Sequence, residues 1–183
     1  MTKLPERLLL DRLATPIGEA LIVTDAAGCL RAFDWADRYA GMARLLRLHY
    51  GAIEPETGAA PEVIKRLLRR YFEGDVACLA GIERRTAGTP FQRSVWTGLT
   101  TIPPGQTMSY GGLAAKLGCP KAMRAVGLAN GSNPISVVVP CHRVIGANGS
   151  LTGYGGGIER KRWLLRHEGA VFRDDAVQQA QAA

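Results

Sequence analysis

A chain of 183 residues, 46% hydrophobic and 21% charged, is long enough for one large domain or two small ones and can fill a core, which argues against disorder. It has no apolar run of membrane-spanning length, and its first twelve residues carry Glu6 and Asp11 rather than a signal core, so a cytoplasmic protein with no membrane partner is expected. The net charge of +7 is uneven: residues 1–88 hold 13 Lys/Arg against 12 Asp/Glu, residues 89–170 nine against two, so the second half suits a polyanion.

In chain order, the apolar-rich runs 8–14, 19–24 and 29–35 predict three antiparallel strands. Thr15-Pro16-Ile17-Gly18 and Asp25-Ala26-Ala27-Gly28 between them are turn sequences. Two helices are predicted over 38–50 and 61–72, the second with Val63, Leu67 and Tyr71 inward. A Gly/Pro/Thr-rich segment, 51–60, links them. The polar stretch 81–88 marks a boundary between an α/β domain over 1–85 and a second domain over 86–170, and 171–183 reads as a frayed tail.

The second domain opens on Thr89, Pro90 and Gln92, which fit N-cap, N1 and N3 of a helix carrying Phe91, Val95 and Leu99. Pro103-Pro104-Gly105 stops it. Ser109 caps a short helix that ends before Gly118, and Pro120 starts another, 121–130. Two short helices joined by Gly-Cys-Pro suggest a helix-turn-helix. The later helix turns Ala122, Val126 and Ala129 inward. Lys121, Arg124, Leu128 and Gly131 line its other side, mostly small residues with a long cation near the start. Small side chains let a backbone approach a large surface closely, and with the local charge this favours nucleic acid.

After Asn130-Gly131-Ser132-Asn133-Pro134, the β-branched run Val137-Val138-Val139 predicts a buried strand ended by Pro140. It delivers Cys141, His142 and Arg143 in succession. A cysteine with an ordinary pKa is only a few per cent thiolate at neutral pH and needs a base or a positive field nearby. In an extended segment Cys141 and His142 point opposite ways, so either the chain turns at Pro140 or a water joins them. An imidazole base wants an orienting carboxylate, and the basic half offers only Glu159 and Glu168. Glu168 is preferred. It ends the helix 158–167 just before Gly169, where a carboxylate opposes the helix dipole unless something offsets it. Arg160, Lys161, Arg162 and Arg166 on that helix read as a solvated or phosphate-facing surface. Gly153-Tyr154-Gly155-Gly156-Gly157 can wrap a flat ligand, and Tyr110 is a further acid or stacking group. Cysteines 29, 78, 119 and 141 form no C-x-x-C pair, and with three histidines no spacing fits a metal site.

Pro140-Cys141-His142-Arg143-Val144, Ser132-Asn133-Pro134, Lys121-Ala122-Met123-Arg124-Ala125-Val126-Gly127, the Gly153–Gly157 loop and Trp163-Leu164-Leu165-Arg166-His167-Glu168-Gly169 together resemble the O6-alkylguanine-DNA alkyltransferases. The likeness is strong over about 89–170 and looser before. It implies an α/β N-terminal domain with an RNase H-like three-stranded sheet and a mainly α C-terminal domain whose helix-turn-helix docks in the minor groove of double-stranded DNA. It implies transfer of an alkyl group from O6-alkylguanine, and from O4-alkylthymine, to Cys141 after base flipping, once per molecule, with no cofactor. By position, His142, through a water, and Glu168 would help form the thiolate. Asn133 would brace the site and Tyr110 would protonate the leaving base. Arg124 would fill the gap in the duplex, beside Lys121, Ala125, Gly127 and Gly131 on the DNA-facing helix. Val144, Tyr154, Gly155 and Gly156 would form the substrate pocket. Cooperative self-association on DNA is compatible with the likeness.

This chain departs from many relatives in Cys119 where they carry Asn, removing an N-cap, and in Gly155 where others carry Ser. Two other readings stand beside alkyl transfer: a DNA-binding regulator with Cys141 merely buried, and a cysteine hydrolase with Cys141 and His142 in direct contact.

Overall fold

The Pro16-Ile17 turn closes a hairpin between β1, Leu8–Thr15, and β2, Gly18–Asp25, whose register runs from Leu8 opposite Asp25 to Thr15 opposite Gly18. Thr15 Oγ1 donates to the Gly18 carbonyl at 2.5 Å and pins the turn. β3, Leu30–Trp35, pairs antiparallel with the other side of β2. As the middle of these three, β2 has six consecutive buried residues from Ala20 to Asp25 rather than an alternating pattern. The computed structural model describes residues 5–174, so the expected tail lies outside them beyond Asp174.

The sheet is not purely antiparallel. The segment expected to be only a linker contributes β4, Glu56–Thr57, parallel to β1, giving the order β3-β2-β1-β4. Arg84, in the polar stretch expected at the boundary, forms a bridge with Leu30. The helices α1, Tyr39–Tyr50, and α2, Glu62–Phe72, follow the predicted bounds within a residue. The buried face of α2 is Ile64, Leu68 and Tyr71, whereas Val63 is 48% exposed. The predicted face was one residue out of phase: two apolar series, at 63/67/71 and 64/68/71, overlap in this helix, and periodicity alone does not choose between them. Leu8, Leu21, Val23, Ala32, Met42, Leu46 and Tyr50 form a core between sheet and α1.

The described residues divide into two compact units. The first runs to Thr89 and takes in Pro134–Val138; the second comprises Pro90–Asn133 and the chain from Val139 onward. Val137-Val138-Val139 is therefore not the expected strand. Ile135 makes one bridge to Phe33, with Phe33 N donating to Pro134 O and Ser136 N to Phe33 O, both at 2.9 Å. The chain then turns: Val138 N donates to Ser136 O at 2.8 Å around Val137, whose φ is +67°. A valine there is strained by roughly 1–3 kcal/mol, held by its burial. The β-branched run correctly signalled burial, but the turn overrode its strand propensity.

The second unit is helical. α3, Pro90–Leu99, buries Val95, Trp96 and Leu99, and Trp96 Nε1 donates to Ala129 O at 2.8 Å. β5, Met108–Ser109, leads directly into α4, Tyr110–Lys116, where Ser109 Oγ accepts from Gly112 N at 3.0 Å. A 3-10 turn, Pro120–Ala122, precedes α5, Met123–Gly131. A short parallel pairing joins β5 to β6, Val144–Ile145. α6 spans Ile158–His167, between Gly157 at φ +94° and Gly169 at φ +72°, two backbone conformations that L side chains rarely adopt. Among the described residues no helix is long and apolar enough to cross a membrane.

Candidate active site

Pro140 fixes the approach to the thiol. Its φ of −81° and ψ of 63° make a tight three-residue turn in which Cys141 N donates to Val139 O at 2.8 Å. The next three residues, Cys141–Arg143, form one 3-10 turn. The chain thus turns at Pro140, the first of the two alternatives the sequence leaves open, and three adjacent side chains leave it in different directions. All three are buried.

Cys141 Sγ receives a hydrogen bond from Asn133 Nδ2 at 3.1 Å, and the same amide donates to Val139 O at 2.8 Å. Asn133 therefore clamps the tight turn and the sulfur together. The amide can donate to sulfur but not supply a base, so it favours the anionic form without removing the proton.

The possible base is His142, fully buried. Its Nε2 lies 3.0 Å from Glu168 Oε1. A carboxylate only accepts, so Nε2 carries the proton and Nδ1 keeps a lone pair. Nδ1 is buried with no hydrogen-bond partner among the described residues, leaving a basic nitrogen ready to take a proton. Burial pulls the His142 pKa down, partly opposed by Glu168, so the ring rests neutral.

Glu168 is held from two sides. Arg143 presents its planar fork, Nε to Oε2 and the terminal nitrogen to Oε1, both at 2.8 Å, and donates a further bond to Ile102 O at 2.5 Å. Burial alone would raise the Glu168 pKa, but its interactions with His142 and Arg143 outweigh it and hold the group below its ordinary range. Arg143 is the main residue that reading the sequence left without a role. A carboxylate buried at a helix C-terminus needs a cation, and the guanidinium next to its partner His142 supplies it.

Lys161 departs most from expectation. Instead of joining a basic surface it is completely buried. Its Nζ donates to Val144 O at 2.6 Å, Thr152 O at 3.1 Å and Thr152 Oγ1 at 3.4 Å. Burial lowers its pKa from 10.5 to about 8, while attraction to Cys141 holds it up. The signal was present: Lys161, Leu164, Leu165 and Glu168 fall at i, i+3, i+4 and i+7, one helix face, and all four are buried. The neighbouring cations are also engaged. Arg162 pairs with Glu159 and Asp174, Arg166 with Asp174, and Arg160 donates to Gly156 O.

Tyr110 begins α4 immediately after β5, so the β5–β6 pairing sets it beside the segment that carries Cys141. Its hydroxyl is 3.1 Å from Thr152 Oγ1. Gly127 lies against its ring: a Cβ there would meet Cδ1 and Cε1 at 3.7 and 3.8 Å. Gly127 thus faces Tyr110, whereas Lys121, Arg124, Ala125, Leu128 and Gly131 are exposed around the remainder of the helix. Met123 and Leu128, at 51% and 77% exposure, add an apolar component to that surface. Val144 is buried and its carbonyl already accepts from Lys161, leaving one lone pair. Tyr154 sets its ring edge-on to His142, with centroids 6.4 Å apart; Gly155 is exposed and Gly156 buried. The four cysteines form no disulfide, and among the described residues no three His, Cys, Asp or Glu side chains group as metal ligands.

Comparison with known proteins gives a consistent set of likenesses. Residues 90–170 match the family model of the 6-O-methylguanine DNA methyltransferase DNA-binding domain. The methylated-DNA–protein-cysteine methyltransferase of Salmonella typhimurium is 53% identical over 168 residues, 91% of this chain and 98% of that protein. A solved structure of Mycobacterium tuberculosis OGT in complex with DNA superposes with a TM-score of 0.73 at 40% identity, covering 89% of this chain and 92% of that one. The O6-methylguanine-DNA methyltransferase of Pyrococcus kodakaraensis superposes with a TM-score of 0.69 at 28% identity, over 89% and 99%.

Proposed function

This chain belongs to the methylated-DNA–protein-cysteine methyltransferase family, and from that premise we propose that Cys141 is the cysteine that accepts the alkyl group. The chain repairs DNA by direct reversal, moving an alkyl group from a damaged base to the protein. The observation that carries the assignment of Cys141 is the pair of bonds around it. Asn133 donates to its sulfur, while His142, on the same turn, gives its proton-bearing nitrogen to Glu168 and keeps the other nitrogen free to accept.

The chemistry is a displacement at carbon. The Cys141 proton passes to His142 Nδ1 through a bound water, and Glu168 stabilises the imidazolium that results. The thiolate attacks the alkyl carbon at O6 of guanine or O4 of thymine; the S–C bond forms, the C–O bond breaks, and its electron pair goes to the base. Tyr110 protonates the ring nitrogen of guanine and so makes the base a better leaving group. The product is a thioether that no residue here can reverse, so each molecule acts once.

A base inside a duplex cannot reach a buried thiol, so it is flipped out of the stack at a cost of a few kcal/mol. The α4–α5 pair acts as a helix-turn-helix, its exposed Lys121, Arg124, Ala125 and Gly131 set in the minor groove and Arg124 filling the gap. Gly127 shapes the inner side by seating Tyr110. Val144, Tyr154, Gly155 and Gly156 close on the flipped base. The first unit serves as an RNase H-like companion domain and the protein works in the cytoplasm. Cooperative self-association would show as a sigmoidal DNA titration. The direct Cys–His contact that a hydrolase needs has no support: Nε2 of His142 bonds Glu168, and Nδ1, the nitrogen that would have to meet the thiol, has no hydrogen-bond partner among the described residues.

The test is to incubate the protein with duplex DNA carrying one O6-methylguanine and measure the mass of the tryptic peptide 125–143. A gain of one methyl group on Cys141, stoichiometric with lesion loss, is expected. DNA binding without any gain would turn the reading to a lesion-binding regulator.

A further inference from the structure

A buried ammonium is costly unless it has a partner, and the partner is normally a carboxylate. Among the described residues Lys161 pairs with none. Its three protons are accounted for instead by two carbonyls and the Thr152 hydroxyl. The same hydroxyl lies 3.1 Å from the phenol of Tyr110. Lys161, Thr152 and Tyr110 therefore form a continuous row of exchangeable protons, on the helix α6, the loop before it and the first turn of α4.

We propose that Thr152 is the middle of a proton relay that carries a proton from the Lys161 ammonium to the Tyr110 phenol as the alkyl group is transferred. The proposal rests on the alkyl-transfer reading and on the role of Tyr110 as acid. The sense of the relay follows from its first member. An ammonium only donates, so Thr152 Oγ1 accepts from Lys161 and turns its own proton toward Tyr110, whose proton then points onward to the base.

The relay answers a problem the site otherwise has. If Tyr110 alone gave up its proton, a phenolate would be left half-buried, with its charge partly removed from water. With the relay, the charge that disappears is that of Lys161, whose pKa is already lowered to about 8 by burial. The step balances. Sulfur bonds to the alkyl carbon, the C–O6 bond breaks and its electron pair goes to the base. The ring nitrogen takes the Tyr110 proton, Tyr110 takes that of Thr152, and Thr152 takes that of Lys161. Thiolate and ammonium are consumed together and leave a thioether, a neutral amine and a neutral base. No proton has to enter from solvent. Thr152 and Lys161 are positioning residues, since both act through Tyr110.

Single-turnover alkyl transfer from O6-methylguanine duplex DNA tests this in the wild type, Thr152→Val, Thr152→Ser, Tyr110→Phe and the Tyr110→Phe/Thr152→Val double variant. Thr152→Val keeps the side-chain shape but removes the hydroxyl, and should slow transfer by about ten-fold or more at unchanged DNA affinity. Thr152→Ser should restore most of the rate. In the Tyr110→Phe background Thr152→Val should add nothing. A Thr152→Val variant as fast as wild type, or one equally harmful without Tyr110, overturns the relay while leaving Tyr110 as acid. A Tyr110→Phe variant at the wild-type rate removes the acid itself, and a wild type that transfers nothing removes the alkyl-transfer reading. The rate of the wild type in H2O/D2O mixtures gives a check that needs no variant: several protons in flight bend the plot, and a straight line overturns the relay.

Discussion

Cys29 and Cys141 are both buried, each close to a buried arginine–carboxylate pair, yet only one surrounding can do chemistry. Around Cys29 the pair is closed. Asp25 Oδ1 accepts from Ala27 N and Cys29 N at 3.0 Å each, and Oδ2 accepts from Arg31 Nε at 2.8 Å. The carboxylate staples a turn, and burial pushes the Cys29 thiol up, away from thiolate. Around Cys141 the pair is open: Glu168 is held by Arg143 and still orients His142, whose other nitrogen has no partner among the described residues. Buried charge is thus poor evidence of a site. An unused lone pair on an oriented imidazole beside a thiol is much better evidence.

The largest expected contrast is between the two thiols. Cys141→Ser should abolish methyl transfer to the protein, because an alcohol at neutral pH is a far weaker nucleophile than a thiolate. DNA binding should persist, since the substitution leaves every exposed residue of α5 unchanged. Cys29→Ser should leave the single-turnover rate within about two-fold and cost some stability for its buried hydroxyl. Quenched-flow with methylated duplex reads both. Loss of transfer on changing Cys29 would break the comparison.

A second contrast is between the two carboxylates. Glu168→Gln should lower stability by about 3–5 kcal/mol by stranding buried Arg143, and should also slow transfer, because a neutral amide no longer supports the imidazolium. Asp25→Asn should destabilise through the same stranding of Arg31 with the transfer rate unaffected. Both wild-type carboxyls lie below their ordinary values: burial opposes this at each, but the bonds from Cys29 N and Arg31 at Asp25, and the interactions with His142 and Arg143 at Glu168, prevail. A lowered carboxyl pKa gives stability that is complete above the unfolded value and lost as pH falls toward the folded one. Neutral, buried His142, with its pKa lowered from 6.5, acts in the same direction: the unfolded chain takes up that proton first as pH falls. Urea midpoints should therefore fall from about pH 6.5 downward and fall faster below the carboxyl values of 3.8 and 4.5. Each carboxylate variant should flatten the lower part of this decline. A decline unchanged in Glu168→Gln would show that its carboxylate does not carry the linkage.

Much of this was legible in the sequence. The hairpin, the bounds of α6 and the Ser109 cap follow from local rules that read only neighbouring residues. The proximity of Glu168 to His142 could be suspected from a carboxylate at the wrong end of a helix. The turn at Val137 could not, because its strain is imposed by burial and paired backbone that no local preference records. Lys161 was misread for a different reason. Lysines at helix positions are usually solvated, and a count of neighbouring cations concealed the face shared with Leu164, Leu165 and Glu168. Thr152 escaped because its value lies in what the fold brings to it from both sides.

A third cysteine sharpens the contrast at the smallest scale. Cys119 precedes Pro120 at the start of the 3-10 turn that leads into α5, with φ −129° and ψ 58°, and its side chain makes no capping bond. Ala122 N is already satisfied by Cys119 O at 2.8 Å, and proline has no N–H, so Lys121 N is the donor a cap would serve. Sulfur is a weak acceptor; an amide oxygen is a good one. Cys119→Asn should therefore raise the urea midpoint by an amount corresponding to about 0.5–1 kcal/mol, with no change in the rate of transfer. Cys119→Ala should be close to neutral, since no bond is lost. A Cys119→Asn protein no more stable than wild type would mean that the ψ of 58° keeps the side chain from reaching Lys121 N. A change in rate, at unchanged DNA affinity, would mean that the start of α5 is coupled to the thiol through the Tyr110–Gly127 contact rather than acting on DNA alone.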